Sequence, residues 1–258
     1  MVAILNNRFV KWVLAPIALL WALGWLYYQH EYPTCTFRYK LTAEVQTPDG
    51  VKTGSSVVEV SYQSYPIILP DGAHVSDTLT GEATYVNLGG GKNLFVLLTN
   101  RESGRSGQND EILGPDRAKG PLRAATLPIK MFGLRWLYKQ ETLLCSDFVA
   151  ASANKKLEIP FGSLPTLVTF KDINDPSSVK VIQPDQFETD FGASYRFINA
   201  KIESTTDVPS HNIEQVLPWW NSYKPIWIHK GFAVNYPLID NLGYNAFRGY
   251  QKSDDGGK

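Results

Sequence analysis

Four stretches of this chain carry residue types at spacings that chemistry can use. Ser152-Ala153-Asn154-Lys155 has the S-x-x-K pattern of serine acyl-transferring enzymes, where a lysine one helical turn from a serine takes its hydroxyl proton. Lys52-Thr53-Gly54 supplies a K-T-G triplet, but it precedes the serine, and no S-D-N lies between. No catalytic residue is therefore assigned. Gly89-Gly90-Gly91-Lys92 has the glycines and lysine of a phosphate cradle. A P-loop must run into a helix whose amides meet the phosphate. Here Asn93-Leu94-Phe95 follows and reads as a strand, so a hairpin turn is expected. Asp172, Asn174 and Asp175 resemble half a calcium loop, yet its sixth and twelfth places hold Ser177 and Gln183 instead of Gly and Glu. A side-chain-capped turn is expected there. His30, His74, His211 and His229 have no second His or Cys at ligand spacing. The expectation is no metal and no cofactor.

Cys35 and Cys145 are too few for a structural zinc site. In an oxidising compartment they can form one disulfide. Within Leu143-Leu144-Cys145 the second can equally be a small buried hydrophobe, and both readings stay open. Basic residues between Arg101 and Lys139 are offset by Glu102, Asp110, Glu111 and Asp116, as in a solvated loop; the sharper reading is a surface for an anionic polymer or headgroup. The best functional lead is C-terminal. Trp219, Trp220, Tyr223 and Trp227 crowd a region that also holds Lys224, His229, Lys230 and Arg248. Rings interleaved with cations suit an interaction surface for a partner or a membrane. The competing reading is a tail that wraps the domain and buries those rings as core.

These residues need elements to position them. Residues 12–28 carry no charge, and Arg8 and Lys11 stand just before them. A span needs roughly 17–25 apolar residues. Residues 9–28 reach that length if Lys11 snorkels to the headgroups, so the lipid bilayer is the expected partner of this segment. The bulky run Trp25-Leu26-Tyr27-Tyr28-Gln29-His30 offers no small-residue cleavage site, which points to an uncleaved anchor. The basic residues before the span put the short N-terminus in the cytoplasm and the remaining chain across the membrane. Net charge is zero and charged residues make up 19%, so nucleic acid is not expected as a partner.

Beyond the span, Phe37, Tyr39, Leu41, Ala43 and Val45 alternate with polar residues, Pro48-Asp49-Gly50 turns the chain, and Val58, Val60 and Tyr62 resume the alternation. A second hairpin is expected from residues 81–88 through the three glycines to residues 93–99, whose run Leu94-Phe95-Val96-Leu97-Leu98 suits a strand buried on both faces. The two hairpins are expected to share one sheet with a strand at 164–170. Residues 136–149 have rough helical spacing, and 179–182 read as a short strand. Pro184 opens a short helix that Gly192 stops. Residues 195–202 alternate, with Tyr195, Phe197, Asn199 and Lys201 on one face. A further short helix is expected at 211–217. The fold class is α+β, a mostly antiparallel sheet with short helices, preceded by one transmembrane helix. The expected divisions are an anchor at 1–30, an extracytoplasmic domain at 31–218 and an aromatic C-terminal segment with a polar tail at 219–258.

The stretches GVKTGSSVVEV (50–60), GEATYVNLGGGKNLFVLL (81–98), LPTLVTFKDINDPSSVKVIQPDQFETDFG (164–192) and LPWW (217–220) resemble an uncharacterised family of bacterial membrane-associated envelope proteins. The resemblance covers roughly residues 37–220 and rests most on the long LPTLVTFKDINDP segment. It implies an envelope location and carries over no catalytic residue. Together these features favour a non-enzymatic binding module, anchored in the bacterial inner membrane, facing the periplasm and meeting an envelope protein partner. The alternative is a hydrolase or transferase acting on envelope material through residues the sequence does not flag.

Overall fold

Cys35, Phe37, Tyr39, Leu41, Ala43 and Val45 are all buried, one face of a single long strand, because successive side chains of a strand point to opposite sides. The computed structural model describes residues 8–32, 34–64, 66, 75–99, 122–133, 145–222 and 246–249. Within them the strands are β1 (Thr34–Thr47), β2 (Gly50–Ser64), β3 (Val75–Gly81), β4 (Thr84–Gly89), β5 (Lys92–Val96), β6 (Lys156–Glu158), β7 (Leu167–Phe170), β8 (Val179–Ile182) and β9 (Arg196–Ser204). They form two antiparallel sheets, ordered β3-β2-β1-β9-β6 and β4-β5-β7-β8. The class is α+β, as the sequence predicts.

The first hairpin closes with Thr47 opposite Gly50, so Pro48-Asp49 is the whole loop. The second is turned by Gly89, Gly90 and Gly91, all at positive φ, which costs glycine nothing. The expectation that both hairpins share one sheet is corrected here. β3, which the sequence does not announce, pairs with β2, and the chain changes sheet at residues 81–83. Gly81 makes that departure with φ +123°, where a Cβ would lie 2.6 Å from the Val57 carbonyl oxygen. The strand expected at 164–170 is shorter, β7, and lies between β5 of the second hairpin and β8, with no pairing to the first hairpin.

The sheets meet closely where β2 passes β4. A Cβ on Gly54 would fall 1.9 Å from the Tyr85 carbonyl oxygen, so only glycine allows this approach. The buried hydroxyls of Ser56 and Thr84 hydrogen-bond at 2.6 Å beside it. Between the sheets lies one core, with the inward face of β1 and Val58, Val60 and Tyr62 against Val86, Leu88, Leu94, Val96 and Leu167. A second core covers the other side of the smaller sheet. It holds Phe95, Leu97, Val168, Phe170, Ile213, Leu217, Trp219, Trp220 and Phe247. β5 is thus buried on both faces from Asn93 to Val96, which is why Leu94-Phe95-Val96 is an unbroken apolar run. Asn93, fully buried on β5, extends the joint with β7. Its Nδ2 donates to the Phe170 carbonyl at 2.9 Å and its Oδ1 accepts the Phe170 N–H at 2.8 Å.

β9 corrects the predicted alternation. Val45 faces Phe197, but Glu44 faces Asn199, so Ile198 is an extra residue. This bulge puts Phe197, Ala200 and Ile202 on the core side together, leaving Asn199 and Lys201 partly exposed. Of the helix predicted over 136–149, residues 136–144 lie outside the described residues, and a helix runs Cys145–Ser152. The helix after Pro184 is Phe187–Phe191, stopped by Gly192 at φ +112°. The N-terminal helix Arg8–Glu31 has 24 residues, about 36 Å of length. Its part Trp12–Glu31 is long and apolar enough to cross a membrane, and none of that stretch is buried within the protein. Trp21, Trp25, Tyr28 and Tyr32 stack successively along one side, at centroid distances of 5.9, 6.3 and 5.1 Å.

Candidate functional site

The most elaborate polar cluster gathers on Glu82, the residue at which the chain changes sheet. Glu82 and Arg248 face each other in an isolated antiparallel bridge. Their side chains are 3% and 9% exposed. Glu82 Oε1 accepts from Arg248 Nε at 2.9 Å and Nη2 at 2.7 Å. Its other oxygen accepts the N–H groups of Asn212 and of Ile213, the latter at 2.7 Å, which ties down the start of the short helix Ile213–Val216. Arg248 Nη1 donates to Glu214 Oε1 at 2.7 Å, and the guanidinium carbon lies 5.4 Å from the Trp220 ring centroid.

Two carboxylates therefore share one guanidinium. The hydrogen bond from Arg248, with help from Asn221, holds the Glu214 carboxyl below the usual glutamate range. Burial pulls the Arg248 pKa down, but the hydrogen bonds to Glu214 and Glu82 outweigh it and the net direction is upward. Such a cluster has no nucleophile and no group poised to exchange a proton. Both carboxylates are taken by the chain's own planar guanidinium, in charge-assisted hydrogen bonds.

The segment around Arg248 is tied in by its backbone. Ala83 N–H donates to the Phe247 carbonyl at 2.8 Å, Leu98 N–H to the Ala246 carbonyl at 2.7 Å, and Gly249 N–H to the Gly81 carbonyl at 2.9 Å. Sequence reasoning places Arg248 among the C-terminal cations but misses Glu82 and Glu214. No local signal exists, since Glu82 and Arg248 are 166 residues apart.

A second buried polar set locks residues 122–132 onto the first sheet. Tyr39 Oη donates to the Ala124 carbonyl at 2.8 Å and Tyr62 Oη to the Ala125 carbonyl at 2.5 Å. Burial drives both phenol pKa values upward, so they stay neutral donors. Arg123 pairs with Asp77 of β3 at 3.2 Å.

The motifs with catalytic echoes are dispersed. Ser152 is buried at the end of its helix, its hydroxyl donating to the Val149 carbonyl at 3.5 Å, while Lys155 lies beyond the helix and is exposed. Ser204, opposite Tyr39 on β1, donates to the Ser152 carbonyl, whereas Lys52 lies opposite Val45. Six residues of strand, about 20 Å, separate those levels. Lys92 donates to the Phe191 carbonyl at 2.8 Å and sits 4.2 Å from the Tyr195 ring centroid, so it clamps a helix end. Its glycines join two strands, as the hairpin reading predicts. Asp172 accepts the Asn174 N–H at 2.9 Å and Asp175 the Ser177 N–H at 2.8 Å, the capped turn expected there. Hydrogen bonds from Ser177 lower the Asp175 pKa. Among the described residues no group of three His, Cys, Asp or Glu could hold a metal ion.

The expected C-terminal interaction surface takes a different form. Trp219 is 8% exposed and Trp220 2% exposed, both within the second core. Trp219 Nε1 donates to the Ile173 carbonyl at 2.9 Å, and its ring packs 5.7 Å from that of Phe170. These two rings are held inside the fold because the outer face of the smaller sheet needs an apolar cover. Tyr223 and Trp227 lie outside the described residues. Of the segment expected at 219–258, Trp219, Trp220, Ala246 and Phe247 belong to that core, and Arg248 and Gly249 adjoin it. Cys35 is buried and disulfide-bonded. Cys145, the chain's other cysteine, opens the helix Cys145–Ser152. No protein-family model, curated protein or solved structure matches this chain.

Proposed function

We propose that this protein is a membrane-anchored, extracytoplasmic binding module of the bacterial envelope, without catalytic activity. The observation that carries the reading is the N-terminal helix, apolar and exposed along the stretch Trp12–Glu31, joined to β1 through Tyr32 and Pro33 alone. Two residues allow at most about 11 Å between the helix end and the sheet, so a helix in the bilayer holds the domain against the headgroups. Arg8 and Lys11 before the span favour the orientation with the domain outside. A disulfide through Cys35 fits the same side, since such bonds persist in oxidising compartments. Cys145 is its partner in this reading. The LPTLVTFKDINDP resemblance supports the envelope location. Binding is favoured over chemistry because the polar cluster at Glu82 is an ion pair with the chain's own Arg248 and includes no nucleophile.

The test is topological. A reporter active only outside the cytoplasm, fused after Gly257, is expected to be active, and carbonate washing is expected to leave the protein in the membrane. Thiol alkylation of unreduced membranes is expected to label neither cysteine, and to label both after reduction and denaturation. A reporter active only in the cytoplasmic format, or release by carbonate, overturns the anchor reading.

A further inference from the structure

Residues 246–249 lie in the domain as a bound peptide lies in a groove. Three backbone hydrogen bonds, from Ala83 and Leu98 and to Gly81, hold the segment, the first and last closing the single antiparallel bridge between Glu82 and Arg248. Gly249 passes so close that a Cβ would sit 2.5 Å from the Leu79 carbonyl oxygen. Phe247 fills an aromatic pocket, with ring centroids 5.9 Å from Phe95, 5.9 Å from Phe170 and 6.1 Å from Trp220. Arg248 enters an acidic pocket, where Glu82 and Glu214 take three of its nitrogens beneath the Trp220 ring. Backbone pairing, an apolar pocket and an adjoining anionic pocket are the three parts of a peptide-recognition site. Residues 223–245 join Trp220's neighbourhood to Phe247 across a gap bridged by touching rings, a span far shorter than that many residues can reach.

We propose that this groove is a recognition site for a short peptide segment carrying an aromatic residue followed by arginine, and that residues 246–249 are its resident, displaceable occupant. The inference names the ligand class of the binding module proposed above and rests on that reading for its role in the envelope. Charge selects the ligand: one guanidinium meets two carboxylates, and a lysine point charge cannot reach both with the same planar fork. The neighbouring ring pocket sets the register.

The experiment uses the full chain in mild detergent, with a protease site inserted between residues 230 and 240. A fluorescent peptide of residues 243–252 is titrated before and after cutting. The cut chain is expected to exchange its fragment and bind the peptide saturably, at least tenfold tighter than the uncut chain, whose own segment competes. Peptides carrying Phe247→Ala or Arg248→Ala are expected to bind at least tenfold more weakly. Loss of cooperative melting on cutting, or a fragment that never exchanges, makes the segment permanent core and overturns the proposal. Equal binding of all three peptides overturns it as well. The topology reporter is insensitive to each of these outcomes, so the two readings fail separately.

Discussion

Replacing Arg248 by Met tests whether the Glu82 cluster holds the domain together. Met keeps much of the arginine stem over Trp220 but removes every charged donor. Glu82 Oε1 then loses two charge-assisted hydrogen bonds, at 2.9 and 2.7 Å, while its side chain stays 3% exposed. Each such bond contributes about 1.5–3 kcal/mol. They share one oxygen and are not additive, so the sum is an upper bound. Breaking a buried pair by removing one partner costs about 3–5 kcal/mol, because a charge is stranded away from water. The expected loss is about 4 kcal/mol, a large part of a domain's usual 5–15 kcal/mol. Glu214 lies on the rim, and Glu214→Gln is expected to change little. Urea unfolding of the full chain in detergent, followed by near-ultraviolet circular dichroism, gives each cost. A cycle with Glu82→Gln isolates the pair, and the double variant is expected to be more stable than the summed single losses by at least about 1.5 kcal/mol. A loss below about 1 kcal/mol for Arg248→Met, or a strictly additive cycle, refutes the reasoning.

Other perturbations probe other joints. Val168→Asp places a carboxylate at a position 0% exposed in the second core, and is expected to cost several kcal/mol and most of the soluble yield; normal melting would count against a buried β7. Gly54→Ala drives a methyl to 1.9 Å from the Tyr85 carbonyl oxygen, so the sheets must separate locally, at a cost of about 3 kcal/mol or more; an unchanged melting temperature would mean they do not approach there. Stability is expected to fall above pH 10. Burial raises the folded pKa of Tyr39 and Tyr62 above the ordinary 10.0, so the unfolded chain releases those protons first and their contribution, intact below pH 10, is lost as pH rises. Each adds about 1.4 kcal/mol of destabilisation per pH unit beyond that point. Melting of wild type and Tyr39→Phe between pH 8 and 11 reads the slope, and an equal slope in both removes Tyr39 as a cause.

The local physics of this chain is legible residue by residue. Alternation from Phe37 to Val45 makes β1, since a strand's side-chain period is two and needs no distant partner to be recognised. Pro48-Asp49-Gly50 and the three glycines make turns by local backbone preference, proline through its fixed φ and glycine through its freedom at positive φ, and Pro184 with Gly192 brackets a helix for the same two reasons. An uncharged run behind two basic residues makes a helix suited to a bilayer. Tertiary structure alone decided how these pieces combine. The division into two sheets depends on Gly81 and Gly54, whose missing Cβ atoms matter only because Val57 and Tyr85 lie against them. The bulge at Ile198 reverses a face because β9 must match β1 on both sides of it. For Trp219 and Trp220 the sequence leaves an interaction surface and a buried cover both open, and the second apolar face of the smaller sheet decides for the cover. The Glu82–Arg248 site joins residues far apart in the chain, and neither is unusual where it stands. Only folding brings the two charges together in a space with little water, where each needs the other.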